Sequence, residues 1–181
     1  MRIERKVFYF EEPGPQNTDD VVEAVKNRVE EGGISEVVVA SDSGETALKI
    51  ARAVQGKAKV VDISMRRVDQ QIGAELKKSG AIVLENQTPA FRAESLVCVK
   101  RTYYTLGQGF KVAVEVVAMA AEKGLIKPYT DVIGVGGTAT GADTAIVVKA
   151  AKPEEILGGD IRRRLEVREI LAMPLKKKWW D

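Results

Sequence analysis

The chain of 181 residues contains no histidine and only one cysteine. Without histidine there is no Ser-His or Cys-His couple, no imidazole base and no ordinary His-containing zinc site, so any proton transfer would fall to Asp, Glu, Lys or Tyr. A lone cysteine, Cys98, excludes an internal disulfide, and its apolar run Leu96-Val97-Cys98-Val99 reads as a packed, inert thiol. No stretch approaches the ~18 consecutive apolar residues of a membrane span. The opening Met1-Arg2-Ile3-Glu4-Arg5-Lys6 lacks the apolar core of a secretory signal. Both point away from a membrane partner and toward a cytoplasmic location. Charge bias is missing too: 28 basic against 26 acidic residues, net +2, argues against a nucleic-acid partner. The carboxylates are isolated rather than clustered, so no metal site is expected.

What is present is an α/β pattern. With 45% hydrophobic content the chain can bury a sizeable core, and residues 1–181 read as one domain. Apolar runs at 36–40, 59–63, 81–84 and 132–136 alternate with helical-period stretches, which predicts a parallel sheet covered by helices on both faces. Asn17 or Thr18 is placed to cap the first helix and Ser43 or Gly44 the second. The Val- and Ala-rich helix 109–123 suggests burial on two faces or an oligomer contact. Only about seven residues separate 132–136 from the strand 145–148, too few for a parallel crossover, so that strand must run antiparallel. The expected fold is a three-layer α/β/α domain. Its mostly parallel five-stranded sheet has the order 3-2-1-4-5, with an antiparallel edge strand and short terminal strands at 6–10 and 168–173.

One layout occurs twice: an apolar strand running straight into a loop of Gly, Ser and Thr. Val37-Val38-Val39-Ala40 leads into Ser41-Asp42-Ser43-Gly44-Glu45-Thr46. Val132-Ile133-Gly134-Val135-Gly136 leads into Gly137-Thr138-Ala139-Thr140-Gly141-Ala142-Asp143-Thr144. Backbone N–H groups and hydroxyls at a strand end suit an anionic oxygen, a phosphate above all. With the order 3-2-1-4-5, both loops open at the point where the winding reverses, the usual ligand crevice of open α/β sheets. Helix N-termini at Asn17-Thr18, Ser43–Thr46 and Gln108-Gly109 should gather on the same edge, each with free N–H donors. A dinucleotide reading of Gly134-Val135-Gly136-Gly137-Thr138-Ala139 fails, because that motif must open a helix and here a strand follows. Asp42, Glu45 and Asp143 are the loop acids available as general bases. Lys111 and Glu115, four apart on a helix, read as a solvated or structural pair. Replacing Gly44 by a β-branched residue should abolish binding and leave the fold intact.

At these residues the chain resembles a known family. Val38–Ala47 is similar to the phosphate-loop segment of the pyruvate kinase C-terminal domain, and Gly136–Thr144 falls where that domain carries its Gly-rich effector loop. Pro13–Thr18, Gly107–Val112 and Ile170–Pro174 match as well, most closely with small stand-alone pyruvate kinase C-terminal-domain-like proteins. The resemblance implies flavin mononucleotide (FMN) as a cofactor. The relatives carry longer, His-containing segments after the strand 59–63 and before the helix 107–123. Here Ser64-Met65-Arg66-Arg67-Val68 is short. The leading expectation is a binding domain for a phosphorylated small molecule. A flavin-dependent oxidoreductase or phosphate-ester hydrolase, and a structural homo-oligomer subunit with vestigial loops, remain open alternatives.

Overall fold

The computed structural model describes residues 2–179. Among these residues seven strands form one sheet: β1 (Phe8–Phe10), β2 (Glu36–Ala40), β3 (Lys59–Ile63), β4 (Ile82–Leu84), β5 (Asp131–Gly136), β6 (Thr144–Lys149) and β7 (Glu166–Pro174). Their order is β1-β7-β6-β5-β2-β3-β4, so the expected five-stranded core is present as β4-β3-β2-β5-β6. Among the described residues β6 alone opposes the other strands, pairing antiparallel with β5 and β7. The terminal strands extend the same sheet beyond it. β7, at nine residues, is longer than a short terminal strand, and β1 pairs with it in parallel.

Helices α1 (Thr18–Glu30), α2 (Glu45–Ala53) and α3 (Gln70–Lys78) cover one face of the sheet; α4 (Val97–Tyr104) and α5 (Gln108–Glu122) cover the other. The alternating strands divide between two cores. Val37, Val39, Ile133, Val135 and Val147 meet the first layer; Val38, Val61, Val132 and Ile146 meet the second. Each fully buried aliphatic side chain contributes about 1.5–3 kcal/mol relative to exposure. Arg28 ties α1 to β7 through two parallel bonds to Glu169, Nε–Oε2 at 2.9 Å and Nη2–Oε1 at 3.0 Å.

α5 is buried almost all round, and its own chain supplies the cover. It sits unusually close to the sheet. A Cβ on Gly134 would stand 2.6 Å from the Ala113 carbonyl oxygen, and one on Gly136 2.3 Å from that of Gly109. These strand glycines serve helix packing, which is why they mimic a dinucleotide motif without being one. The stretch 86–106, which has no clear period, folds as two 3₁₀ turns at Ala90–Arg92 and Glu94–Leu96 followed by α4. On α4 Cys98 lies exposed while Val99 is buried, so the expected packed thiol is corrected to a surface one. Its neighbours' apolarity belongs to the opposite side of a helix.

Candidate functional site

β2 and β5 are neighbours, in parallel register Val37↔Ile133 to Val39↔Val135, so their carboxyl ends lie level. The chain goes from β2 to β3 on one side and returns as β5 on the other, which leaves a crevice between the two loops. A cleft of about 850 Å³ opens there, within the size range of small-molecule and cofactor sites. Ser41, Ser43 and Thr46 line one wall and Gly137, Thr138, Thr140 and Gly141 the other, with Gln108 at the start of α5.

The first wall is the N-terminus of α2. Gly44 is its N-cap at φ +83°, a left-handed conformation that glycine adopts without strain. A Cβ there would also stand 2.6 Å from Val68 Cγ1 and 2.8 Å from Ile72 Cγ2. The expectation that a β-branched residue at Gly44 spares the fold is therefore overturned: this glycine is a packing position, and it lies behind the cleft. The side-chain cap is weak, since Ser43 Oγ accepts from the Glu45 N–H at 3.3 Å. The first-turn N–H groups beyond it lack acceptors within the helix. Glu45 is exposed and does not line the cleft.

The second wall is braced from below by Asp143. This residue is fully buried; its Oδ2 accepts from the N–H of Thr138 at 3.0 Å and of Gly14 at 3.2 Å, and Oδ1 accepts from the Thr144 hydroxyl at 2.9 Å. A carboxylate spent on three donors and shut off from solvent is a strut, so its candidacy as a general base is corrected. Thr144 and Gly109 pack against the same carboxylate rather than facing the cleft. Asn17 and Thr18 are likewise buried struts. Asn17 makes no side-chain cap and donates from Nδ2 to the Glu12 carbonyl. Thr18 Oγ1 donates to the Pro15 carbonyl at 2.7 Å and accepts from the Ala142 N–H at 3.0 Å, latching α1 to the Gly-rich loop. The N-terminus of α5 also differs from expectation. The Gln108 N–H donates to the Lys178 carbonyl at 2.8 Å, so the C-terminal tail already satisfies that donor.

The remaining walls come from outside the two Gly/Ser/Thr loops. Arg66 and Arg67 follow β3, and Arg92, Lys100 and Tyr104 come from the 90–104 segment. Among the described residues Arg67, Arg92 and Lys100 form no ion pair with a carboxylate, so the cleft carries a positive balance. Asp42 lines the cleft but is committed: its Oδ1 accepts from the Met65 N–H at 2.8 Å, and Arg66 Nε lies 3.8 Å from Oδ2. Lys111 and Glu115 pair at 2.9 Å at the cleft floor, buried rather than solvated, and Glu115 Oε1 also accepts from the Phe91 N–H at 2.6 Å. Tyr103 belongs to the core beside Phe91 and Phe110, and burial pushes its phenol up. Tyr104 instead faces the cleft and stacks on Trp179, ring centroids 6.5 Å apart. The sequence of the tail, Lys176-Lys177-Lys178-Trp179-Trp180-Asp181, reads as an ordinary terminal segment, and its last two residues lie outside the described residues.

Behind the first wall lies Asp62. It is fully buried on β3, and among the described residues neither carboxylate oxygen has a hydrogen-bond partner. Burial raises its pKa to about 8, the Asp42 and Glu85 charges adding to the effect. The nearby Ser41 N–H, which bonds the Ile63 carbonyl at 3.4 Å, offsets only part of it. The sequence does hold one trace of this group, an acid among the apolar residues of a buried parallel strand.

The family model described as "Pyruvate kinase, alpha/beta domain" matches residues 19–148. The chain belongs to that family. The match runs from α1 to β6 and so takes in both walls of the cleft, Ser41–Thr46 and Gly137–Thr144. β1, β7 and the tail over α5 lie outside the matched stretch of the pyruvate kinase alpha/beta domain. Among the described residues no helix is long and apolar enough to cross a membrane.

Proposed function

We propose that the cleft binds a phosphorylated small molecule, with the phosphate between the N-terminus of α2 and the Gly137–Gly141 loop. The observation that carries this reading is the meeting of two donor-rich turns, nearly a hundred residues apart in sequence, in one positively balanced cleft. Helix N-terminal amides and loop amides hold a phosphate by direct hydrogen bonds and by the field of the helix. Arg67, Arg92 and Lys100 add charge that draws an anion in.

FMN is the ligand to test first. The cleft suits its two ends: the cradle would take the phosphate, while Tyr104 and the apolar Ile63, Val112 and Met119 offer a surface for a flat ring. Bound flavin would supply redox chemistry; the residues of this chain would hold its phosphate and shield its ring. The carboxylates at the site favour binding over catalysis, because Asp42 clamps the 64–66 turn and Asp143 braces its own loop.

Native mass spectrometry of the purified protein reports any retained ligand by mass and the subunit count in the same spectrum. Quenching of flavin fluorescence during titration gives the affinity. Ser43 is exposed, so Ser43→Asp keeps the fold and puts a negative charge into the cradle; FMN affinity should fall at least tenfold. Absence of binding by wild-type protein, or equal affinity in the variant, would overturn the reading.

A further inference from the structure

We infer that the cleft takes up a proton together with its anion, and that Asp62 is the group that holds the proton. The inference rests on the phosphate reading of the cleft and adds a second, thermodynamically linked ligand.

The geometry leaves Asp62 little choice. It stands one residue before the carboxyl end of β3, level with Val39 on β2 and Val83 on β4, on the sheet face covered by α2 and α3. Both of its oxygens are buried and, among the described residues, unpartnered, an arrangement an ionised carboxylate does not tolerate but a neutral acid does at far lower cost. The charged groups that face it are acids, Asp42 from the loop after β2 and Glu85 from the end of β4. Both acids are themselves tied to backbone, Asp42 to the Met65 N–H and Glu85 to the Val68 N–H at 2.8 Å. The helices covering this face bring apolar side chains such as Ile50 and Leu76. Their charges lie at the outer surface, where Lys49 pairs with Asp19 and Arg52 with Glu75. Arg66, Arg67 and Asp69 of the intervening segment are exposed as well.

Ionising Asp62 would therefore add an uncompensated negative charge directly behind the Ser41–Gly44 turn, where the anion is to sit. It would also repel Asp42, whose bonds to Ser64 and Met65 hold that turn in place. An anion in the cradle disfavours ionisation of Asp62 by the same Coulomb interaction, so anion and proton favour each other's binding reciprocally. Asp62 acts here as a positioning residue, through the loop and its field and not by touching the ligand.

The test uses sulfate, whose charge does not change between pH 6 and pH 9, so that the ligand's own titration cannot imitate the effect. Sulfate is titrated into ¹⁵N-labelled protein at constant ionic strength, and the amide resonances of Gly44 and Thr46 report binding. Sulfate should bind up to about tenfold more weakly at pH 9 than at pH 6, the limit set by the roughly one molecule in ten that still holds the Asp62 proton at pH 9. Asp62→Asn should abolish that difference, with Asp62→Val as the second variant should the amide impair folding. Equal wild-type affinities at the two pH values, or a difference that persists in a folded Asp62 variant, would overturn the coupling while leaving the anion site standing. Unshifted amides at both pH values would overturn the anion site itself, and the coupling with it.

Discussion

Replacing Asp62 by asparagine should stabilise the protein at neutral and alkaline pH. The carboxyl has a pKa near 3.8 when solvated and about 8 in the folded chain. Between those values the folded state holds a proton that the unfolded state has released, so stability is greatest below the lower value and falls as pH rises toward the upper one. The slope for one such group is about 1.4 kcal/mol per pH unit. Over the whole window that gives a ceiling of roughly 5–6 kcal/mol, which relaxation around the ionised form should bring down to about 2–4 kcal/mol. For a chain of this size that corresponds to about 5–15 °C in Tm at pH 8. The assay is urea unfolding of wild type and Asp62→Asn at unit steps from pH 5 to pH 9. Glu30, Glu155, Asp160 and Glu166 are held below the usual carboxylate range by their partners, and the stability they add is lost only as pH falls through their own lower range. They are common to both proteins and cancel in the difference. That difference should be small at pH 5, grow to pH 8 and then level off. A flat difference, or a variant less stable than wild type at pH 8, would refute the assignment of a buried, neutral acid.

Three further outcomes follow from the geometry. Gly44→Val should cost about 2–4 kcal/mol in chemical denaturation, because a positive φ and contacts of 2.6 Å with Val68 and 2.8 Å with Ile72 must both be relieved; unchanged stability would remove the glycine from the packing. Glu115→Ala should destabilise by about 3–5 kcal/mol, since it leaves the Lys111 ammonium buried beside an unfilled Phe91 N–H, and Lys111→Met with Glu115→Leu should recover most of that loss. Cys98 should react with a maleimide in the folded protein at the rate of an ordinary exposed thiol, whereas protection until unfolding would mean that it is packed after all.

The fold was legible because its information is local and periodic. Strands β2 and β3 stand where the apolar runs place them, and the short span between β5 and β6 leaves room only for an antiparallel turn. Apolar patterning does not say which strand lies outside β6, so the docking of β7 and β1 on its far side could not be read. The cleft was half legible. Its two Gly/Ser/Thr walls follow from the strand order, because loops at the carboxyl ends of adjacent parallel strands must meet. The functions of individual loop residues did not follow. Asp143, Thr18 and Asn17 carry the same polar groups whether they face a ligand or brace a turn, and only the acceptors around them decide. Arg92 and Lys100 come from a segment without periodicity, so nothing located them near the cleft, and the pair Tyr103-Tyr104, open to stacking on a ligand or to packing, divides between the two, Tyr103 in the core and Tyr104 at the cleft. Arg66 and Arg67 were within reach of the sequence, since they follow the carboxyl end of a strand already placed beside β2.

The close approach of α5 to β5 links the core to the cleft. With side chains at Gly134 and Gly136 the helix could not lie against the strand, and the Ala113 and Gly109 carbonyls would be pushed away. Because it does lie there, Lys111 and Glu115 reach the floor between the two loops, and the start of α5 stands beside the Gly-rich turn. The buried pair then fixes the Phe91 N–H, and through it the segment that carries Arg92 to the rim. A contact required for packing thus sets the depth of the cleft and the position of one of its cations. The same reasoning applies on the other face, where the turn that forms the first wall is packed by Val68 and Ile72 and backed by Asp62. If the cleft holds an anion as proposed, the protonation of Asp62, a residue that would touch no ligand, acts on the site through the Ser41–Gly44 turn.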